Sequence, residues 1–161
     1  MLKKIIALIL CLATLTVFVS CNKNKDRVKY GHCEMILPLS SDFYEVEDEN
    51  FDVTYSNGKY VVAVLRLSFE AAINEGIGET MTPHEFGRFW VEKCNRNAIV
   101  RTKTVTYCEY YEYAGIAEFY YLEAFLRSQY AYFVVLFASP SAYDDEAFDD
   151  FISYAEMIAF N

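Results

Sequence analysis

Residues 116–138 constrain the fold more than any other part of the chain. Ile116 to Leu126 and Tyr130 to Ala138 are two long runs of aromatic and aliphatic residues, parted only by Arg127-Ser128-Gln129. Runs so rich in β-favouring residues, joined by so short a polar link, predict an antiparallel hairpin. A second hairpin stands earlier in the chain. Phe51 to Tyr55 alternates apolar and polar residues, with Asp52 and Thr54 on the second face, and Tyr60 to Phe69 returns. Between them, Ser56-Asn57-Gly58-Lys59 offers the Asn-Gly pair that tolerates the positive φ angles of a type I′ turn. On the returning strand Val61, Ala63, Leu65, Leu67 and Phe69 share one face, with Arg66 and Ser68 on the other.

The remaining segments fill in around these hairpins. Glu34 to Leu39 predicts a first strand, closed by Pro38 and the Ser40-Ser41-Asp42 turn. Thr82-Pro83-His84-Glu85 has the form of a capping box, with Thr82 as N-cap and Glu85 reaching back. Phe86, Phe89, Trp90 and Cys94 then recur at helical spacing, which sets Cys94 toward the core, and Asn95 to Asn97 ends the helix. Ile99 to Tyr113, rich in Thr, Val and Tyr, predicts a strand that Gly115 terminates. Ser139-Pro140-Ser141 introduces a closing helix with Phe148, Phe151, Ile152, Ala155 and Ile158 on one stripe. The order is β-β-β-α-β-β-β-α. It predicts an α+β domain, an antiparallel sheet of about six strands with helices packed on it, spanning residues 33–161.

Residues 1–20 are set apart by composition. Lys3 and Lys4 precede an uncharged apolar run from Ile5 to Val19, shorter than the about 20 residues of a bilayer-spanning helix. Such a segment predicts a secretory signal peptide. Its end, Phe18-Val19-Ser20-Cys21, resembles a lipobox, although Phe18 stands where an aliphatic residue is usual. The resemblance implies a bacterial lipoprotein precursor: cleavage before Cys21, lipid on that cysteine, and a polar tether over residues 21–32. The expected location is extracytoplasmic, lipid-anchored to the cell membrane or outer membrane. Loss of Lys3 and Lys4 leaves 12 basic against 23 acidic side chains, a formal charge of −11. That balance opposes nucleic acid and anionic lipid headgroups as partners.

From Cys33 to Phe160 the chain resembles the PsbP-like fold, an α/β/α sandwich named for an extrinsic subunit of the photosynthetic oxygen-evolving complex. The resemblance rests on Met35-Ile36-Leu37-Pro38 followed by Phe43, the Asn57-Gly58 hairpin, the single middle helix and the amphipathic terminal helix. It implies a binding or assembly role and no enzyme mechanism, and it transfers no functional residue.

The chemistry-bearing residues give no catalytic or metal-binding signature. His84-Glu85 lacks a second histidine one turn on, and His32-Cys33 lacks a second ligand pair at zinc spacing. Gly76-Ile77-Gly78 has no phosphate-loop continuation and reads as a flexible connection. Asp144, Asp145, Glu146, Asp149 and Asp150 lack the loop pattern of a calcium site and suit a helix start. Cys33, Cys94 and Cys108 allow one disulfide in three pairings, or three buried thiols. No catalytic residue, metal or cofactor is expected. Tyr110, Tyr111, Tyr113, Tyr120 and Tyr121 stand out instead. Strand neighbours alternate faces, so Tyr110 and Tyr111 cannot share one core. Some of these phenols must lie under a helix or open to solvent. They form the expected interaction surface of a non-enzymatic protein that engages a partner in the cell envelope. The alternative is a small-molecule or glycan-binding module on the same strands.

Overall fold

The computed structural model describes residues 27–30, 33–96, 99–139 and 145–161. Ten strands and three helices alternate along them. The strands are β1 (Arg27–Tyr30), β2 (Cys33–Ile36), β3 (Tyr44–Val46), β4 (Val53–Ser56) and β5 (Val61–Ser68). Helices α1 (Phe69–Asn74) and α2 (Pro83–Cys94) follow. Then come β6 (Val100–Arg101), β7 (Thr106–Ala114), β8 (Ala117–Arg127), β9 (Ala131–Ser139), α3 (Asp145–Met157) and β10 (Ala159–Phe160). The main sheet has seven antiparallel strands in the order β3-β4-β5-β9-β8-β7-β6, and a small sheet has the order β1-β2-β10. The α+β class and the antiparallel sheet match the sequence expectation, but the strand count does not. The additional strands, β1, β3, β6 and β10, hold two to four residues each, too few for a period-two pattern to register.

Both faces of the main sheet are buried. On one, Val62, Leu122, Val135 and Phe137 pack with Phe151 and Ala155 of α3 and with Met35 from β2. On the other, Ala63, Tyr121, Phe125 and Tyr132 pack with Ala72 of α1 and Phe86 of α2. All nine residues of β9 are buried, as expected of a strand covered on both sides. The same geometry corrects the expectation of one core face on the returning strand: Val62 and Val64 are as buried as Ala63.

Three further expectations change at the turns. Phe69 opens α1 instead of ending β5, because Ser68 Oγ caps the helix by accepting the Ala71 N–H at 3.2 Å. Gly76-Ile77-Gly78 is an ordered helix stop: Gly76 takes φ +86°, Ile77 donates its N–H to the Ala72 carbonyl at 2.8 Å, and the Ile77 side chain is buried. At Asn57-Gly58 only Gly58 has a positive φ, so the turn is not type I′. Asn57 Oδ1 instead accepts the Tyr60 N–H at 2.7 Å. The segment 99–113 divides into β6 and β7 at a turn where Thr102 donates its N–H to the Val105 carbonyl.

α2 begins as its sequence predicts. The Thr82 hydroxyl accepts the Glu85 N–H, and the Glu85 carboxylate accepts the Thr82 N–H at 2.7 Å. That backbone bond holds the Glu85 carboxyl below its ordinary range. Gly87, one turn on, permits close approach to the sheet: a Cβ there would sit 2.7 Å from the Phe125 ring. Asn95 closes the helix in the left-handed region at φ 53°. The leader, Cys21 and its tether up to residue 26 lie outside the described residues, as do His32, Pro140, Ser141 and Asp144.

Candidate interaction surface

The five tyrosines all belong to one hairpin. β7 and β8 pair from Thr106↔Phe125 to Ala114↔Ala117, and Gly115-Ile116 makes the turn. Gly115 takes φ +65°, a region a side chain disfavours, which explains the break in an otherwise aromatic run. Cross-strand partners share a face, so Tyr110 and Tyr121 lie toward α2, while Tyr111 and Tyr120 lie toward α3.

Under α2 the hairpin holds a carboxyl. Glu123 is only 7% exposed and sits opposite Cys108 in the ladder. The Tyr110 hydroxyl donates to Glu123 Oε1 at 3.0 Å, and the Cys108 thiol lies 3.6 Å from Oε2. The Trp90 indole N–H is buried near this carboxyl without a hydrogen bond of good geometry. Burial raises the Glu123 pKa, and the Arg96 guanidinium, Tyr110, Cys108 and Trp90 only partly oppose it. Arg96 sits 3.7 Å over the Tyr110 ring and pairs with Glu112, while Tyr110 stacks on Tyr121 with ring centres 5.1 Å apart. Burial also lifts the phenols and thiols. Tyr110 and Cys108 rise far above their ordinary values, Tyr121 is pushed up to about 12, and Cys94 to about 11. Protonated thiols and a carboxyl enclosed within the hairpin are not a set of reactive groups facing solvent.

The α3 side is open toward the turn. Tyr120 lies inside, its ring parallel to Phe151 and its hydroxyl donating to Glu109 at 3.0 Å. Tyr111 packs against the Tyr120 ring, 5.2 Å away, yet is 53% exposed. Tyr113 is 72% exposed, and Glu118, its cross-strand partner, raises the pKa of its phenol. Ile116 is fully exposed at the turn.

The expected surface is therefore corrected in extent. Tyr110, Tyr120 and Tyr121 are core residues, because both faces of β7 and β8 are covered along most of their length. Tyr111 and Tyr113 reach solvent, since α3 does not cover the turn end. Cys94 is half-buried; Cys94 and Cys108 are free thiols. Glu123, Arg96 and Ile116 were not anticipated. For Glu123 a signal existed: it is the lone carboxylate among apolar residues from Phe119 to Leu126.

Among the described residues no group of three or more His, Cys, Asp or Glu side chains is placed to hold a metal ion, and no helix is long and apolar enough to cross a membrane. No protein-family profile matches the sequence, and no curated protein does. The chain is similar in structure to a protein of Bacteroides thetaiotaomicron VPI-5482 solved at 1.50 Å resolution, with a TM-score of 0.52 and 13% identity. That likeness covers 80% of this chain and 44% of the other, so this chain spans less than half of its length. It is a likeness of fold.

Proposed function

We propose that this chain is a lipid-anchored, extracytoplasmic binding module without enzyme activity, which engages a protein partner of the cell envelope through the turn end of the β7–β8 hairpin. One observation carries the reading. Tyr111, Tyr113 and Ile116 gather exposed apolar and aromatic surface at one projecting turn, while the other hairpin aromatics are in the core. Tyrosine is among the residue types enriched in the residues that anchor protein interfaces.

The anchor is proposed from the leader and Cys21, and the PsbP-like arrangement from helices lying on both faces of an antiparallel sheet. The hairpin turn also lies far from the point where the tether enters. Arg27 pairs with Ile36 beside Ala159, and Phe160 of β10 packs on Phe133, whose ladder partner is Leu126. From Leu126 to the turn, β8 spans about 30 Å. Lipid on Cys21 would thus leave the exposed turn at the far end from the membrane attachment.

A photo-reactive side chain in place of Ile116, activated on intact cells, tests this reading. The expected result is one dominant crosslinked protein, lost when Tyr111 and Tyr113 are both changed to Ser. Absence of any crosslink from position 116 would overturn the proposal.

A further inference from the structure

Cys94 and Cys108 belong to the same side of the main sheet. Cys108 is fully buried on the α2 face of β7, opposite Glu123 in the ladder. Cys94 closes α2, one turn beyond Val91, which packs in the same cluster as Cys108. The residues around Cys94 fix what that last turn lies over. Trp90, one turn before it, has its buried indole N–H near Glu123. Arg96, two residues after it, sits 3.7 Å over the Tyr110 ring and pairs with Glu112. Cys108, Tyr110 and Glu112 alternate onto one face of β7, so the end of α2 runs along them, with Cys94 between its two anchored neighbours. The electrostatics agree. Burial raises both thiols first and the Glu123 carboxylate second, and Cys94 adds to the rise at Cys108. Cys33 stands on β2, whose Met35 packs in the core on the α3 side of the sheet. The three pairings that the sequence leaves open thus reduce to one.

We infer that Cys94 and Cys108 are an oxidation site, which an incoming disulfide closes into a crosslink between the end of α2 and β7, with Glu123 taking the Cys108 proton. Cys94 is half-buried and Cys108 has no exposed surface, so Cys94 meets the oxidant. The Cys94 thiol loses its proton to water and attacks one sulfur of a glutathione-type disulfide. A mixed disulfide forms on Cys94 and one thiolate leaves. Cys108 then gives its proton to Glu123 Oε2, 3.6 Å from its sulfur, and attacks the Cys94 sulfur, expelling the second thiolate. Two protein thiols are oxidised, one disulfide is reduced to two thiols, and the two protons end on those thiols. The extracytoplasmic reading supplies an oxidising compartment, but the chemistry depends only on the two cysteines and Glu123.

The test mixes the full chain, reduced and freed of reductant, with oxidised glutathione, followed by mass spectrometry and mapping of linked peptides. The expected product has lost two hydrogens and joins Cys94 to Cys108, and Cys33→Ser leaves it unchanged. Cys108→Ser should stop with glutathione on Cys94, and Cys94→Ser should leave Cys108 unmodified. Loading of Cys94 should quicken about tenfold from pH 8 to pH 9, as its thiolate fraction grows toward a pKa of about 11. Glu123→Gln should load Cys94 at the parent rate or faster, yet close about tenfold more slowly or worse. A carboxylate acting through its charge alone would have the opposite effect, because its removal lowers the Cys108 pKa. Glu123→Asp, which keeps a carboxylate, should close faster than Glu123→Gln. The crosslinked chain should also need more denaturant to unfold than the reduced one. Glutathione that stays on the parent Cys94 without closure, or a crosslink that includes Cys33, would overturn the inference. So would a mixture of pairings from the folded chain like that formed in denaturant. Closure of Glu123→Gln at the parent rate would overturn the role given to Glu123.

Discussion

Glu123 sits where a carboxylate is costly, and its effect on stability has a definite sign. Burial raises its pKa, so the folded state binds the proton more tightly than the unfolded one. Its cost is absent below the ordinary glutamate value of 4.5, grows as pH rises, and is complete above the folded-state pKa. Glu123→Gln keeps an acceptor for the Tyr110 hydroxyl and removes the charge. Its unfolding midpoint should exceed that of the parent at pH 7, and the two should converge at about pH 4. A lower midpoint for the variant at pH 7 would mean that Arg96 and the surrounding donors outweigh burial. The thiols make a second residue-scale case. Cys94, at about 11, is roughly a thousandth thiolate at pH 8, and Cys108 stands higher still. Alkylation of the native protein at pH 8 should be slow at Cys94 and slower at Cys108, and denaturant should equalise them. Fast native labelling of either would show an opening of α2 from the sheet.

At the scale of elements, α2 is held by its cap and by one close contact. Thr82→Ala removes the hydroxyl that accepts the Glu85 N–H and should cost about 1 kcal/mol. Gly87→Ala should cost more than helix propensity returns. The new methyl would meet the buried Phe125 ring, and overpacking of that kind costs about 1–3 kcal/mol. Denaturant melts of the two variants give both values, and a stabilised Gly87→Ala would show that the ring moves freely. The contrast between these positions marks what the sequence discloses. Thr82, Pro83 and Glu85 act through local backbone geometry, which a linear pattern encodes, and the same holds for Phe151 and Ala155 on the stripe of α3. Gly87 depends on Phe125, 38 positions away, and no local pattern reveals that distance. The tyrosines fall between these cases. Alternation separates Tyr110 from Tyr111, but only the placement of α2 and α3 decides which phenols stay wet. Glu123 was visible as a lone acid in an apolar strand, while its partners Tyr110 and Arg96 come from β7 and from just beyond α2.

For the whole molecule, the lipid proposal makes a prediction about processing. Cells fed a radioactive fatty acid should label the parent protein and not Cys21→Ser, which should also keep residues 1–20. A labelled Cys21→Ser would end the lipoprotein reading. The small sheet gives the anchor a mechanical consequence. Among the described residues β1 lies at its margin with β2 as its sole neighbour, and β2 in turn holds β10. A pull on the amino-terminal end therefore meets Arg27↔Ile36 first and opens the four pairs of β1 in succession, like a zip, before any strand of the larger sheet parts. Opening β1 while β2 stays paired to β10 would release residues 27–32, about 20 Å of chain. Force spectroscopy with handles at residues 27 and 116 should thus record a weak early extension of that length ahead of the main rupture. The domain would yield at a tearable hem while the hairpin proposed to engage a partner stays intact.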